Sequence, residues 1–186
     1  MNPKSAALLA DPHPCGHIVY PYTDKNLVGQ AVCLYASAGL RNGEAVILIV
    51  RQANYETITS RLWREGFDLQ TLQRTGQLTL RLAEDVLPTF MVDGMPDRTK
   101  FHAIVADLLS RARISNTQSA PRVRAFGEMV CILWRTNLPA AARLEQLWSE
   151  AIETFSLSLL CTYELGGTAP PSLAEELAAC HSHNLA

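Results

Sequence analysis

The run from Ala45 to Val50 is the feature that most constrains how this chain can fold. Its residues, Ala-Val-Ile-Leu-Ile-Val, are all apolar, and most of them are β-branched. A strand with one face in water alternates apolar and polar positions, whereas a strand covered on both faces is a continuous apolar run. The run therefore predicts a parallel strand inside a sheet, with helices packed on both sides.

The rest of the chain alternates between strand-like and helix-like segments, without an internal repeat or a linker. The predicted strands cover residues 18–20, 45–50, 77–82, 123–129 and 157–163. The predicted helices cover residues 24–40, 54–66, 69–74, 139–156 and 170–180, with another that begins at Asp97. The predicted N-caps are Asp24, Asn54 and Asp97. The apolar face predicted for the helix at 54–66 carries Ile58, Leu62 and Trp63.

This order of elements predicts an α/β fold. Strands that alternate with helices form a mostly parallel sheet covered on both faces, which is a three-layer sandwich. A polar segment at residues 115–121 is predicted to be a loop.

Size and charge limit what the chain can do. Its 186 residues, 48% of them hydrophobic, suit one domain with a sizeable core. Residues 17–186 are predicted to form that domain, and residues 1–16 a flexible N-terminal tail. The net charge is −2 with no basic run, which argues against direct nucleic-acid binding. No apolar run approaches the ~20 residues of a membrane span, so no membrane association is expected.

The five cysteines are widely scattered and include no C-x-x-C pair. An odd set without a framework predicts a reducing, cytoplasmic location. Three of them lie in apolar runs and are predicted to be buried: Cys33, Cys131 and Cys161. Cys15 lies near His17, and Cys180 lies near His181 and His183, but these spacings match no established zinc pattern. No metal or other cofactor is therefore predicted.

The turn after the first predicted strand lacks glycine. In a nucleotide-binding α/β protein this junction carries the loop G-x-x-x-x-G-K-[ST], whose backbone N–H groups cradle phosphates. Here residues 20–23 read Tyr-Pro-Tyr-Thr, and the fixed proline φ and two aromatic side chains cannot form that cradle. Lys25 is retained, but Asn26 stands where the magnesium-binding Ser/Thr belongs. The sequence therefore predicts that the chain is not an enzyme and does not hydrolyse ATP.

Polar and aromatic residues follow each predicted strand. Ligands of parallel α/β sheets bind at the carboxyl ends of the strands. This rule selects residues 20–23, 51–52, 84–85, 128–129 and 163–164. The tyrosines among them could equally pack in the core with their hydroxyls in water.

Glu128 is the sharpest of these candidates, because Phe126-Gly127-Glu128-Met129 places a carboxylate among apolar residues. A buried acid needs a partner, and Arg124 or an adjacent backbone donor would supply one in a structural role. Gly127 would also let another group approach closely, so a ligand-binding or switching role stays open. Arg122 and Arg124 are otherwise interpreted as ordinary charges at a sheet edge.

Five sequence blocks occur in a characteristic order. They are Gly16-His17-Ile18, residues 39–44, residues 62–68 with 76–78, Arg124 with residues 127–129 and Trp134, and residues 160–163. Together they resemble the MEDS sensory domain, named for methanogen and methylotroph proteins and the DcmR regulator. The resemblance implies a fold similar to KaiC- and RecA-type ATPases, with a degenerate phosphate loop.

The resemblance further implies a non-catalytic sensory or regulatory domain of bacterial signal transduction. Its former nucleotide slot would bind a small ligand, a signalling partner such as a histidine kinase or transcription regulator, or both. The ligand-binding residues expected on this basis are His17, Tyr20, Tyr22, Thr23, Lys25, Arg51, Glu128, Trp134 and Tyr163. Two alternatives stay open: a regulatory protein that binds a nucleotide without hydrolysis, and a thiol-based redox sensor acting through Cys15 or Cys180.

The resemblance also bears on assembly. The family usually continues past the position of His183 into one more strand, and this chain ends at Ala186. Family members are also often fused to a kinase or a DNA-binding region, and the sequence carries neither. We therefore expect a sheet that lacks an edge strand, and a homodimer or a hetero-complex that covers the unpaired edge.

Overall fold

The computed structural model of the chain describes residues 1–114, 122–164 and 183–185. Its helices are α1 Pro3–Ala10, α2 Lys25–Arg41, α3 Gln52–Arg64, α4 Leu69–Arg74, α5 Ala83–Val86, α6 Arg98–Ile114, α7 Met129–Trp134 and α8 Leu138–Phe155, with a 3₁₀ turn at Leu87–Phe90. Its strands are β1 His17–Tyr22, β2 Ala45–Val50, β3 Leu78–Leu82, β4 Met91–Val92, β5 Met95–Pro96, β6 Val123–Gly127, β7 Leu157–Glu164 and β8 His183–Asn184. The loop predicted at 115–121, the helix predicted at 170–180, and Cys180 and His181 lie outside the described residues.

The main sheet has the strand order β3-β2-β6-β7-β1-β8, and all its neighbouring strands are parallel. Helices pack on both faces, so the predicted α/β three-layer sandwich with a mostly parallel sheet is confirmed. Strands β4 and β5 form a separate antiparallel hairpin. None of the helices in the described ranges is long and apolar enough to cross a membrane.

Strand β2 shows why an unbroken apolar run was needed. All its residues are buried. Ala45, Ile47 and Ile49 point into the core layer formed with α5 to α8, while the alternate residues point into the layer formed with α1 to α4. Because successive side chains of a strand point to opposite faces, each residue of β2 meets one of these two apolar layers.

Two of the three predicted helix caps are confirmed. The Asp24 carboxylate accepts a hydrogen bond from the backbone N–H of Asn26 at 2.8 Å, and that of Asp97 accepts one from Lys100 at 2.8 Å. The third prediction is wrong, since α3 begins at Gln52 and Asn54 lies inside the helix.

Helix α3 also corrects the predicted apolar face. Ile58 and Leu62 are buried as expected, but Trp63 is 71% exposed. Adjacent positions on a helix differ by about 100°, and the buried face of α3 includes Leu62 but ends before Trp63.

The two ends of the chain contain elements that the sequence did not indicate. Residues 3–10 form helix α1, and Leu9 is fully buried; the division of the chain at residue 16 stays a prediction. At the other end, β8 pairs with β1 through Ile18 and Val19, and Leu185 is buried. A strand of two residues therefore lies at this edge of the sheet, where the sequence predicted none.

Candidate functional site

Glu128 directly follows the central strand β6 and has no exposed surface. Its carboxylate accepts a hydrogen bond from the backbone N–H of Arg51 at 2.8 Å and one from the Asn54 side-chain amide at 2.6 Å. Both donors belong to the segment after β2, which is the neighbour of β6 in the sheet. The expected clustering of groups at the carboxyl ends of parallel strands is therefore realised here.

The surroundings of Glu128 raise its pKa to about 7, because burial disfavours the charged form and the bonds from Arg51 and Asn54 only partly offset this. Among the side chains that the structure describes, no lysine, arginine or histidine lies within salt-bridge distance of it. Glu128 is thus a buried acid that exchanges its proton near neutral pH.

The start of α3 is filled by carboxylates of the chain itself. Helix N-termini attract anions because their first N–H groups have no partner within the helix. Glu128 takes the N–H of Arg51, and Glu84, which follows β3, takes that of Gln52 at 3.0 Å. Three neighbouring strands, β3, β2 and β6, thus deliver one connected polar cluster.

Arg51 extends this cluster toward β7. Its guanidinium lies 3.2 Å from the Glu164 carboxylate and 3.4 Å from the Cys131 sulfur, and its side chain is 19% exposed. Arg135 shares Glu164 at 3.0 Å. Tyr22, at the end of β1, is buried, and burial is the main cause of the raised pKa of its hydroxyl, followed by the charges of Cys131 and Glu128.

One protein-family profile covers most of the chain. The sequence profile of the methanogen/methylotroph, DcmR sensory domain, abbreviated MEDS, matches residues 16–182. The chain belongs to the MEDS family. No curated protein matches it. Family membership assigns this MEDS domain a sensory or regulatory role.

Six of the nine predicted ligand-binding residues of the MEDS domain fall into two groups. Tyr22, Arg51 and Glu128 meet at the carboxyl edge. Tyr20 is buried in β1, and its pKa is raised by burial and by Asp24.

The turn that follows β1 adds less. Thr23 is exposed. Lys25 begins α2, and its side chain lies outside the described part of the structure.

The second group lies between β1, β7 and α8. His17 begins β1, and its Nε2 is 3.3 Å from the Glu145 carboxylate. The Tyr163 hydroxyl donates to the other oxygen of Glu145, and Trp134 packs edge-on against the Tyr163 ring with centroids 5.3 Å apart. Six of the nine predicted site residues therefore belong to two clusters in this MEDS domain, three residues to each.

Arg124 corrects the sequence interpretation. It is 1% exposed and forms a two-pronged ion pair with buried Glu44, so it is neither a charge at a sheet edge nor the partner of Glu128. It also donates to the carbonyls of Leu9 and Tyr35 at 3.1 and 3.2 Å. The other structural partner considered for Glu128, a backbone donor, is present as the N–H of Arg51.

Sequence reasoning missed Asn54 and Cys131 as members of the edge cluster, and Glu145 and Cys161 as members of the second cluster. Glu145 carried a usable signal, because it lies at helical spacing with the apolar residues Ala141 and Trp148 on the buried face of α8. The burial predicted for Cys33, Cys131 and Cys161 is confirmed, and Cys15 is exposed.

Proposed function

We propose that this MEDS domain is a non-catalytic sensor that binds a small ligand, or docks a signalling partner, at the carboxyl edge around Glu128. The carrying observation is that Glu128 is fully buried there, is held by uncharged donors, and has a pKa raised to about 7. A group whose charge state is so finely balanced responds to any donor or cation placed beside it.

The edge is suited to transmit such a response. Protonation of Glu128, or its capture by a ligand, weakens its hold on the backbone N–H of Arg51 and on Asn54. The same region connects through Arg51 to Glu164 at the end of β7. Binding at one position thus biases the packing of α3 against β6 and β7, which is the kind of two-state change that a sensor requires.

The slot is proposed to be a remodelled nucleotide site of a RecA- or KaiC-like ancestor. The glycine-free turn at residues 20–23 supports the loss of phosphate binding. Tyr22 supports it as well, since it continues β1 and is buried where a phosphate loop would open. Without phosphate and metal contacts, the positioning and charge stabilisation needed for phosphoryl transfer are lost.

This proposal predicts no ATP hydrolysis. Phosphate release from ATP should equal the background rate for the wild type and for Lys25→Ala alike. Turnover above background that disappears in Lys25→Ala would contradict it.

Native mass spectrometry tests the binding site directly. Wild-type chain, Glu128→Gln and the exposed control Glu65→Gln are purified from one host under non-denaturing conditions and compared. We expect a bound organic molecule on the wild type and the control, and its loss from Glu128→Gln. A bound nucleotide would instead favour the nucleotide-binding alternative.

The partner version of the proposal is tested in parallel. The same three proteins are used as bait for a histidine kinase or transcription regulator encoded beside the gene. Retention by the wild type and the control but not by Glu128→Gln supports docking at this edge. If neither a molecule nor a partner distinguishes Glu128→Gln from the control, the site is structural.

We also propose that the domain works as a homodimer or in a hetero-complex. In the part of the chain that the structure describes, β8 pairs with Ile18 and Val19 of β1, and unpaired strand edges are templates for association. Light scattering should give a mass above that of one chain, either alone or with the partner. A strict monomer that captures no partner would contradict this.

A further inference from the structure

Three side chains that commonly bind metals meet in the interior of the domain, away from the carboxyl edge. They are His17 of β1, Glu145 of α8 and Cys161 of β7, and they are 5%, 2% and 0% exposed. One ligand atom from each lies within 4.8 Å of the others. They lie in the layer between the sheet and α8, which also holds the apolar side chains of the larger core cluster.

The fold brings these residues together from distant parts of the sequence. Strands β1 and β7 are parallel neighbours, with Val19 opposite Cys161. His17 lies two residues before Val19, so it projects from the same face of the sheet as Cys161. Glu145 lies on the buried side of α8, which covers that face.

We propose that His17, Glu145 and Cys161 form a binding site for one divalent cation of the zinc class. The His17 Nε2 atom lies 3.3 Å from Glu145 Oε2 and 3.5 Å from Cys161 Sγ. A tetrahedral zinc site has edges of about 3.3 Å between nitrogen and oxygen and about 3.6 Å between nitrogen and sulfur, given its usual bond lengths. The two distances from His17 thus already match those that a tetrahedral cation imposes, and the oxygen of Glu145 lies within 4.8 Å of the Cys161 sulfur.

The chemistry of the three groups agrees with this spacing. Thiolate, imidazole and carboxylate are the ligands that zinc accepts in proteins. One thiolate and one carboxylate also neutralise a divalent cation, so the loaded site places no net charge in the core. Three protein ligands leave the fourth vertex to a water or a small exogenous ligand.

Tyr163 acts as a positioning residue for this site. Its hydroxyl donates to Glu145 Oε1, while Glu145 Oε2 faces His17. A second-shell donor of this kind fixes the orientation of a metal-binding carboxylate. Tyr163 thereby keeps one carboxylate oxygen directed at the proposed cation.

Cobalt titration of the full chain, freed of any affinity tag and stripped with a chelator, tests the proposal. Tetrahedral Co²⁺ bound to a thiolate gives intense visible bands and a sulfur-to-cobalt charge-transfer band. We expect both bands to saturate at one Co²⁺ per chain and to disappear when Zn²⁺ is added. Cys161→Ser should lose the charge-transfer band and weaken binding at least tenfold.

Cys33→Ser is the matched control, because Cys33 is also buried but its sulfur faces the carbonyl of Ile58 at 3.6 Å. It should bind like the wild type. Tyr163→Phe keeps all three ligands and should weaken binding by about 10- to 100-fold, the range known for second-shell changes. It reports on the site even if Cys161→Ser fails to fold.

Two results would overturn the proposal. One is a wild-type titration without a saturable charge-transfer band, which leaves a metal-free cluster in which Glu145 is held by His17 and Tyr163. The other is that folded Cys161→Ser, or Tyr163→Phe, binds the metal as tightly as the wild type while Cys180→Ser loses binding. That result would assign the metal to the cysteine and histidines near the C-terminus.

Discussion

The two ends of strand β6 differ in how a buried ionisable side chain is stabilised. Arg124, near the amino end, has a carboxylate partner in Glu44 and two backbone carbonyls as further acceptors. Glu128, directly after the carboxyl end, is as deeply buried but is held by one backbone N–H and one side-chain amide. The charge at the amino end is therefore neutralised within the fold, whereas the charge at the carboxyl end depends on the protonation state of Glu128.

This difference follows from what surrounds each end of a parallel sheet. At the amino end, Glu44 directly precedes β2, which is the neighbour of β6 in the sheet. The ion pair therefore joins two neighbouring segments of the chain. At the carboxyl end the chain enters α3, whose first N–H groups are neutral donors. A buried ion pair with complete hydrogen bonding fixes the fold, whereas a carboxylate with neutral donors can gain or lose a charge.

Breaking the amino-end pair should have the largest effect. Glu44→Gln leaves the Arg124 guanidinium buried without a counter-charge, which should lower the free energy of unfolding by ~3–5 kcal/mol. Urea denaturation measures this. In the control Glu65→Gln, which removes the exposed pair with Arg41, the change should stay within about 1 kcal/mol. Equal losses in the two variants would show that Arg124 finds another partner.

At the carboxyl end the effect should appear as a pH dependence. The folded-state pKa of Glu128, about 7, exceeds its ordinary value of 4.5. Between these pH values the folded state holds a proton that the unfolded state has lost, so stability falls as pH rises, by about 3 kcal/mol for such a difference. Glu128→Gln removes this loss.

Urea denaturation of wild type and Glu128→Gln at pH 5 and pH 8 checks this expectation. The free energy of unfolding of Glu128→Gln, taken relative to that of the wild type, should be higher at pH 8 than at pH 5. Glu145, whose pKa burial also raises to about 7, titrates in both proteins and cancels in the comparison. A difference that is constant with pH would mean that Glu128 stays charged in the folded state.

Arg51 should tune the carboxyl end with a smaller effect. Arg51→Met removes the half-buried pair with Glu164, at about 1 kcal/mol, and removes a positive charge that lowers the pKa of Glu128. The pKa of Glu128 should therefore rise further in Arg51→Met, and the free energy of unfolding should continue to fall up to a higher pH than in the wild type. Arg135→Met, which also loses Glu164 but is more exposed, is the control and should leave that range unchanged.

The smallest effect is expected at the exposed rim of the amino end. Asp11 pairs with Arg122 at 3.2 Å, and its side chain is 78% exposed. Asp11→Asn should change the free energy of unfolding by less than about 0.5 kcal/mol in the same urea assay. A larger loss would show that the rim, and not only the Arg124 pair, stabilises this end.

Local patterns predicted much of this architecture. The apolar run of β2 implied a doubly covered parallel strand, and the caps at Asp24 and Asp97 marked the starts of α2 and α6. The sequence also placed Arg51 and Glu128 at the same edge of the sheet. These predictions succeeded because strand burial and helix capping depend on residues close together in the chain.

The hydrogen-bond and ion-pair partners of the buried residues were not predictable in the same way. Arg124 was considered as the partner of Glu128, because nothing in its local sequence shows that Glu44 lies beside it in the folded sheet. Asn54 looked like a cap, because nothing in its local sequence reveals a carboxylate contributed by another strand. Trp63 was assigned to the core for a similar reason, since periodicity alone does not fix how wide a buried face is.

The sequence by itself therefore determined the α/β class, the doubly covered strand β2 and the identity of Glu128 as a buried acid. Only the tertiary structure decided that Glu44 neutralises Arg124, that the start of α3 holds Glu128, and that His17, Glu145 and Cys161 meet beneath α8. The physical reason is the separation along the chain over which each property is determined. Burial and helix starts are local properties of the chain, whereas hydrogen bonds and ion pairs depend on which strands become neighbours in the sheet.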